Sequence, residues 1–243
     1  MSDSPDRRTP SALGLAPPLQ AAGFNVAGVL SAERYAGLVP PAWAPQAILP
    51  AARSVVVLAS GGRALGRAVA AAPTSARDRD PFDAHTRRVA EAAAATLREA
   101  GWPTEPLFYF ERRGGAFADF VALGRACGLG TPSRLGLLLH PSYGPWLSIR
   151  ALLLTARPLT PTPELEHSPC DGCPAPCALA CHGAALLPPP SGFDREACTA
   201  TRRRLEACAL RCDARRACVV GPEHAYDPET EAHHMSVSTL LPS

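Results

Sequence analysis

The chain has 243 residues, with 24 basic and 22 acidic side chains interspersed for a net charge of +2. That size holds one large domain or two small ones, and the charge advertises no nucleic-acid-binding face. Every basic residue is arginine, which excludes Schiff-base chemistry, pyridoxal phosphate attachment and the phosphate-loop lysine.

In chain order, the N-terminus MSDSPDRRTP carries no apolar signal core, and residues 1–20 are expected to be disordered. No apolar run reaches the roughly 18 residues a membrane helix needs. A soluble cytoplasmic protein with reduced thiols is therefore expected. SVVVLAS, residues 54–60, reads as a buried strand. Residues 85–100 are alanine-rich and stop at Gly101, which predicts a helix with a glycine stop. Residues 105–110 read as a strand and 117–128 as a helix. Residues 135–140 and 147–155 read as strands joined by the turn-like loop from Pro141 to Pro145. Helices and strands mixed in one core predict an α+β or α/β sandwich, of which α+β is the expected class. Pro158, Pro161 and Pro163 then stiffen a linker, dividing a front domain (21–163) from a cysteine-rich one (164–243). The latter has few apolar residues beyond its thiols, so bound metal must stabilise it. Residues 194–212 read as helical there, with Asp194 as N-cap and Arg202 to Arg204 as a solvated face.

Eight of the nine cysteines lie in this last third. Cys170, Cys173, Cys177 and Cys181 form a C-x2-C-x3-C-x3-C run, and Cys198, Cys208, Cys212 and Cys218 follow. Eight thiols suit two 4Fe–4S clusters, and the run is close to the ferredoxin pattern C-x2-C-x2-C-x3-C-P. The second gap is one residue longer, and His182 stands where proline is usual. Two alternatives stay open. Zinc accepts four thiolates, though only Cys170 and Cys173 have a knuckle's spacing. Disulfides would want a secretory context that the chain does not show. Cys127 reads as a buried helix residue.

The stretch from Gly128 to Leu154, followed by the cysteine run, resembles the epoxyqueuosine reductases. Gly128, Gly130, His140, Pro141, Tyr143, Gly144 and Trp146 stand in that family's order, and Asp83-Ala84-His85 matches its Asp-x-His. The His-Pro-x-aromatic-Gly-x-Trp loop and the tail YDPETEAHHM are also similar to the cobalamin-processing chaperone of the cblC type. Reductive dehalogenases share the same ground plan. The resemblance implies a nitroreductase-like domain holding cobalamin and a ferredoxin-like module with two 4Fe–4S clusters. One cluster would use Cys170, Cys173, Cys177 and Cys218, the other Cys181, Cys198, Cys208 and Cys212. It also implies an oxidoreductase acting on a small-molecule substrate with an external electron donor. Removal of cobalamin's upper ligand, a ferredoxin-type carrier and a zinc-stapled binding protein are the rival activities, and FMN is the rival cofactor. Ser133, Arg134 and Leu135 replace the family's Gly-Lys-Asn, and the second cysteine set is more widely spaced. No helical-repeat tail follows, so tRNA is expected to be an unlikely partner.

The resemblance makes Asp83 the proton donor, with a helix N-cap as its plainer role. Gly128, Gly130, His140, Tyr143, Gly144 and Trp146 are the candidate cofactor contacts. Side-chain-free backbone at Gly144 can approach a flat ligand closely, whereas His140 as a loop hydrogen-bonder and the two aromatics as core are the plainer readings. Arg88 stands where a cobalt-ligating Asp-x-His-x-x-Gly motif needs glycine, so no histidine ligand to cobalt is expected. His182 reads as a loop residue, and His233 and His234 as solvated.

Overall fold

The computed structural model describes residues 17–72, 80–166, 168–187 and 192–237. Nearly all of the segment expected to be disordered lies outside them; within it, Pro17–Ala21 forms a short helix, α1. The front of the chain continues as β1 (Val26–Ser31), α2 (Ala32–Ala36), α3 (Pro45–Ile48), β2 (Ser54–Gly61), α4 (Ala64–Ala71), α5 (Pro81–Glu99), β3 (Thr104–Phe108) and α6 (Phe120–Ala126). It closes with β4 (Thr131–Pro132), β5 (Leu138–Leu139) and β6 (Leu147–Thr155).

Four strands form one antiparallel sheet in the order β1-β2-β6-β3. Both of its faces are covered. One packs Val26, Val57, Leu107, Leu152 and Leu154 against Tyr35, Trp43, Leu123 and Leu129. The other packs Leu58, Phe108, Ala151 and Leu153 against Leu65, Val69, Phe82, Ala90 and Ala94 of α4 and α5. Burial on two faces explains why β2 and β6 read as continuous apolar runs rather than alternating ones. The α+β expectation holds.

Several boundaries move. α5 starts at Pro81, whose fixed φ suits the first helical turn, and Asp80 caps it by accepting from the Phe82 and Asp83 N–H groups. The predicted strand 135–140 shrinks to β5, paired only with β4, because Ser133 accepts from Leu135 N and donates to Leu137 O in a turn. The predicted linker is tied down. Thr162 N–H donates to Val29 O, and Thr162 Oγ1 accepts from Val29 N–H, so the segment lies along edge strand β1. Among the described residues no helix is long and apolar enough to cross a membrane.

Among its described residues the cysteine-rich part is built on short helices: α7 (Pro176–Leu179), α8 (Arg195–Arg204), α9 (Glu206–Leu210), α10 (Asp213–Arg216) and α11 (Pro228–Val237). Asp194 caps α8 as expected, accepting from Ala197 N–H. The predicted 194–212 helix breaks at Leu205, whose backbone is extended (φ −116°, ψ 105°).

Candidate metal centre

Local chemistry arranges the thiols. Left-handed backbone at Gly172 and Ala175 turns the chain sharply between Cys170, Cys173 and Cys177. Sulfur atoms also cap backbone: Cys181 Sγ accepts from Ala185 N–H and Cys212 Sγ from Arg215 N–H, each at 3.4 Å. All nine cysteines are free thiols, so the disulfide alternative is not what the structure holds.

Eight of them line two hollows. Cys170, Cys173, Cys177 and Cys218 face the first, with Ser133, Arg134, Leu135 and Leu139 from the front of the chain. Cys181, Cys198, Cys208 and Cys212 face the second, with His182, Arg202, Asp213 and Met235. Burial raises the thiol pKa of Cys177, Cys198, Cys208, Cys212 and Cys218, and charge on neighbouring sulfurs raises it further. Arg202 opposes this in the second hollow by favouring the thiolates of Cys198 and Cys208. Such thiols ionise readily only when a cation joins them. Among the described residues no three His, Cys, Asp or Glu side chains converge on a single-ion position. Arg202 lies partly buried against this hollow rather than on the solvated face expected of it. His182 is a loop residue, as expected, held by Asp213 Oδ2 at 2.9 Å.

The loop from His140 to Trp146 is covered by protein. His140 is buried, and its Nδ1 accepts from the N–H groups of Ser142 and Tyr143 at 3.0 and 3.2 Å. Asn25 Nδ2 donates to Tyr143 Oη at 3.1 Å. Gly144 has φ +55°, and a Cβ there would lie 1.9 Å from Val220 O. Trp146 is 1% exposed, with the Arg215 guanidinium 4.6 Å above its ring and Tyr226 at its edge. Arg215 also donates to Pro145 O through Nε and Nη2. The glycine at 144 thus serves a backbone–backbone approach next to Cys218. Gly128 and Gly130 are likewise packed, against Pro163 O and Leu139 O.

Burial lowers the His140 pKa from 6.5 to about 4, helped by the charge of His224. The unfolded chain therefore binds the proton more readily. The associated stability is present in full above pH 6.5 and is lost as pH falls toward 4. At about 1.4 kcal/mol per pH unit this amounts to roughly 3 kcal/mol. His140→Asn keeps an acceptor for the two N–H groups without titrating. Its unfolding free energy is expected to fall less steeply over that range, and an unchanged slope would assign the acid sensitivity elsewhere.

Asp83 is not the N-cap of α5. It is the third residue of the helix, in its first turn, and Oδ1 accepts from Tyr109 Oη at 2.7 Å and from Arg150 Nη2 at 3.0 Å. Burial raises its pKa, against the pull of Tyr109 and Arg150. Neither Tyr109 nor Arg150 was expected as a site residue, although an arginine inside the apolar strand LSIRALLLT signals a buried partner. His233 and His234 are not solvated. His233 stacks on Phe82 at 4.1 Å and lies 3.4 Å from Asp80 Oδ2, and His234 stacks on Tyr226 at 4.9 Å.

No family model and no curated protein matches the chain. Solved structures do. An epoxyqueuosine reductase bound to an epoxyqueuosine-modified tRNA-Tyr stem loop aligns with a TM-score of 0.59 and 16% identity, over 87% of this chain and 65% of its own. The epoxyqueuosine reductase of Bacillus subtilis aligns at 0.56 and 18%, over 85% and 66%. A reductive dehalogenase described for B12-dependent dehalogenation aligns at 0.56 and 16%, over 98% and 37%. The fold is thus the one shared by epoxyqueuosine reductases and B12-dependent reductive dehalogenases, and the chain spans about two-thirds of the former's length. The resemblance to the cblC-type chaperone finds no support among these neighbours. The expectation against tRNA is corrected, because a protein of this fold holds a tRNA stem loop.

Proposed function

We propose that the chain is an iron–sulfur oxidoreductase of the cobalamin-linked reductase class, with a nitroreductase-like front domain at 21–163 and a ferredoxin-like domain at 164–243. One observation carries the iron–sulfur half: the eight thiols divide four and four between two hollows. Each donor set has the number and softness a 4Fe–4S cluster requires. Cys170, Cys173, Cys177 and Cys218 would hold one cluster, and Cys181, Cys198, Cys208 and Cys212 the other. Bound clusters supply one-electron transfer. The chain's own part is to bury the first hollow against Leu135 and Leu139, beside the front domain, and to leave the second toward Arg202 and Arg211. An external carrier would deliver electrons there. Asp83, set between Tyr109 and Arg150, is the group we assign to proton donation.

The kinship to B12-dependent enzymes supports the cobalamin-linked class. The loop nominated for the corrin does not fit it, because Val220, Arg215 and Tyr226 already cover Gly144 and Trp146. No step is therefore derived through cobalamin. That covering favours a second reading, a two-cluster electron-transfer protein. Titration with cob(II)alamin separates the two: altered absorption and paramagnetic spectra support the reductase, and unchanged spectra support the carrier. A tRNA stem loop is the first substrate class to offer.

The cluster assignment has a direct test. Anaerobically prepared protein is expected to be brown, with about eight irons and eight sulfides per chain. Cys173→Ser and Cys208→Ser should each remove roughly half of the iron and a different paramagnetic signal, whereas Cys127→Ser should remove none. Colourless protein with stoichiometric zinc would sink the reading.

A further inference from the structure

Resting on the cluster reading, we propose that Glu231 is a positioning residue for the second hollow, fixing Cys212 and lowering the reduction potential of the group held there. Glu231 lies on α11 and is 1% exposed. Its Oε1 accepts from Cys212 N–H at 3.1 Å. Its Oε2 accepts from Arg216 Nε at 2.8 Å and, in a short contact, from Arg216 Nη2. A carboxylate this buried is tolerable because these donors satisfy it and Arg216 balances its charge.

Position makes the contact informative. Cys212 and Arg216 bracket α10, whose far side leads to Cys218 in the first hollow. Cys212 is held at two points, its N–H by Glu231 and its sulfur by Arg215 N–H at 3.4 Å. One helical turn on from Glu231, Met235 lines the second hollow. The rest of α11 is clamped to the front of the chain: Thr230 packs on Gly66, and His233 stacks on Phe82. The helix is thus a strut that sets Cys212 relative to the front domain.

Two electrostatic consequences have the same sign. Cluster potentials depend on nearby net charge and on N–H groups directed at the sulfurs. Glu231 neutralises the Arg216 guanidinium beside the hollow, which would otherwise raise the potential, and withholds the Cys212 N–H, so both effects lower the potential. Cys170, Cys173 and Cys177 have no such contact with Glu231, so the first hollow's potential should be set independently.

The test uses the full chain, purified anaerobically, with Cys173→Ser and Cys208→Ser assigning each paramagnetic signal to its hollow. Glu231→Gln keeps an acceptor for Cys212 N–H and removes the charge. The second-hollow potential is expected to rise while the first stays fixed. Glu231→Ala should reduce iron from about eight to about four per chain, leaving the first-hollow signal. Glu229→Ala, exposed on the same helix, should behave as wild type. If Glu231→Gln moves both potentials equally or neither, the assignment is overturned, whether or not the alanine variant folds. Iron-free wild-type protein would instead overturn the cluster reading itself.

Discussion

Gly144→Val should separate the cysteine-rich part from the rest of the chain and cost more stability than any loop substitution nearby. Two penalties combine. The residue occupies left-handed backbone at φ +55°, which costs an L residue about 1–2 kcal/mol and is worse for a β-branched one. A Cβ would also fall 1.9 Å from Val220 O, which is backbone and cannot swing aside. Breaking that approach takes with it the neighbouring contacts of Arg215 with Pro145 and Trp146. The total is about 4 kcal/mol or more, in the range reserved for gross packing faults. At about 2–4 °C per kcal/mol for a chain of this size, Tm should fall by roughly 10 °C. Gly115→Ala separates the terms: Gly115 has φ +80° with nothing within 4 Å of its would-be Cβ, so it should lose only about 1 kcal/mol. Equal losses at the two sites would show that backbone strain, not the approach of Val220, is the cause.

Why the sequence misled here is instructive. The clustering of eight thiols in the last third was legible because thiolate donors are restrictive and closely spaced. Their crossed partition was not, because spacing alone groups Cys181 with Cys170, Cys173 and Cys177, and only the family resemblance implies Cys218 instead. Seven of the eight residues of β2 and all nine of β6 were legible because a strand buried on both faces is a continuous apolar run. Gly144 looked like a ligand-facing glycine because its neighbours are aromatic, while the atom it accommodates, Val220 O, lies far along the chain. β1 passed unnoticed because Ala27 and Gly28 dilute the apolar pattern of VAGVLS, and Gly28 is required where Cys127 packs against it. His233 and His234 looked solvated because a polar helix with no apolar stripe gives no sign of what will stack on it. Phe82 and Tyr226 do so. In each case the missing information was tertiary.

Asp83→Ala should destabilise strongly, whereas Asp83→Asn should separate stability from activity. The Arg150 side chain is 3% exposed, and Asp83, itself 22% exposed, is the carboxylate paired with it at 3.0 Å. Removing one member of a buried pair typically costs 3–5 kcal/mol, because the remaining charge is left without compensation, so about 3 kcal/mol is expected for this partly exposed carboxylate. Tyr109 Oη loses its acceptor in the same step, and burial already holds that phenol well above its ordinary pKa. Asparagine keeps an oxygen that accepts from both Tyr109 and Arg150, so its loss of stability should be about half as large. Its chemistry differs. The Asp83 carboxyl keeps its proton to higher pH than an ordinary carboxylic acid, which suits a donor, and an amide has no such proton to give. Under the proposed function, Asp83→Asn should therefore fold, retain its iron and lose substrate reduction by about 100-fold or more. A variant that stays active at wild-type rate while losing stability would reduce Asp83 to the counter-ion of Arg150 and move the proton donor elsewhere.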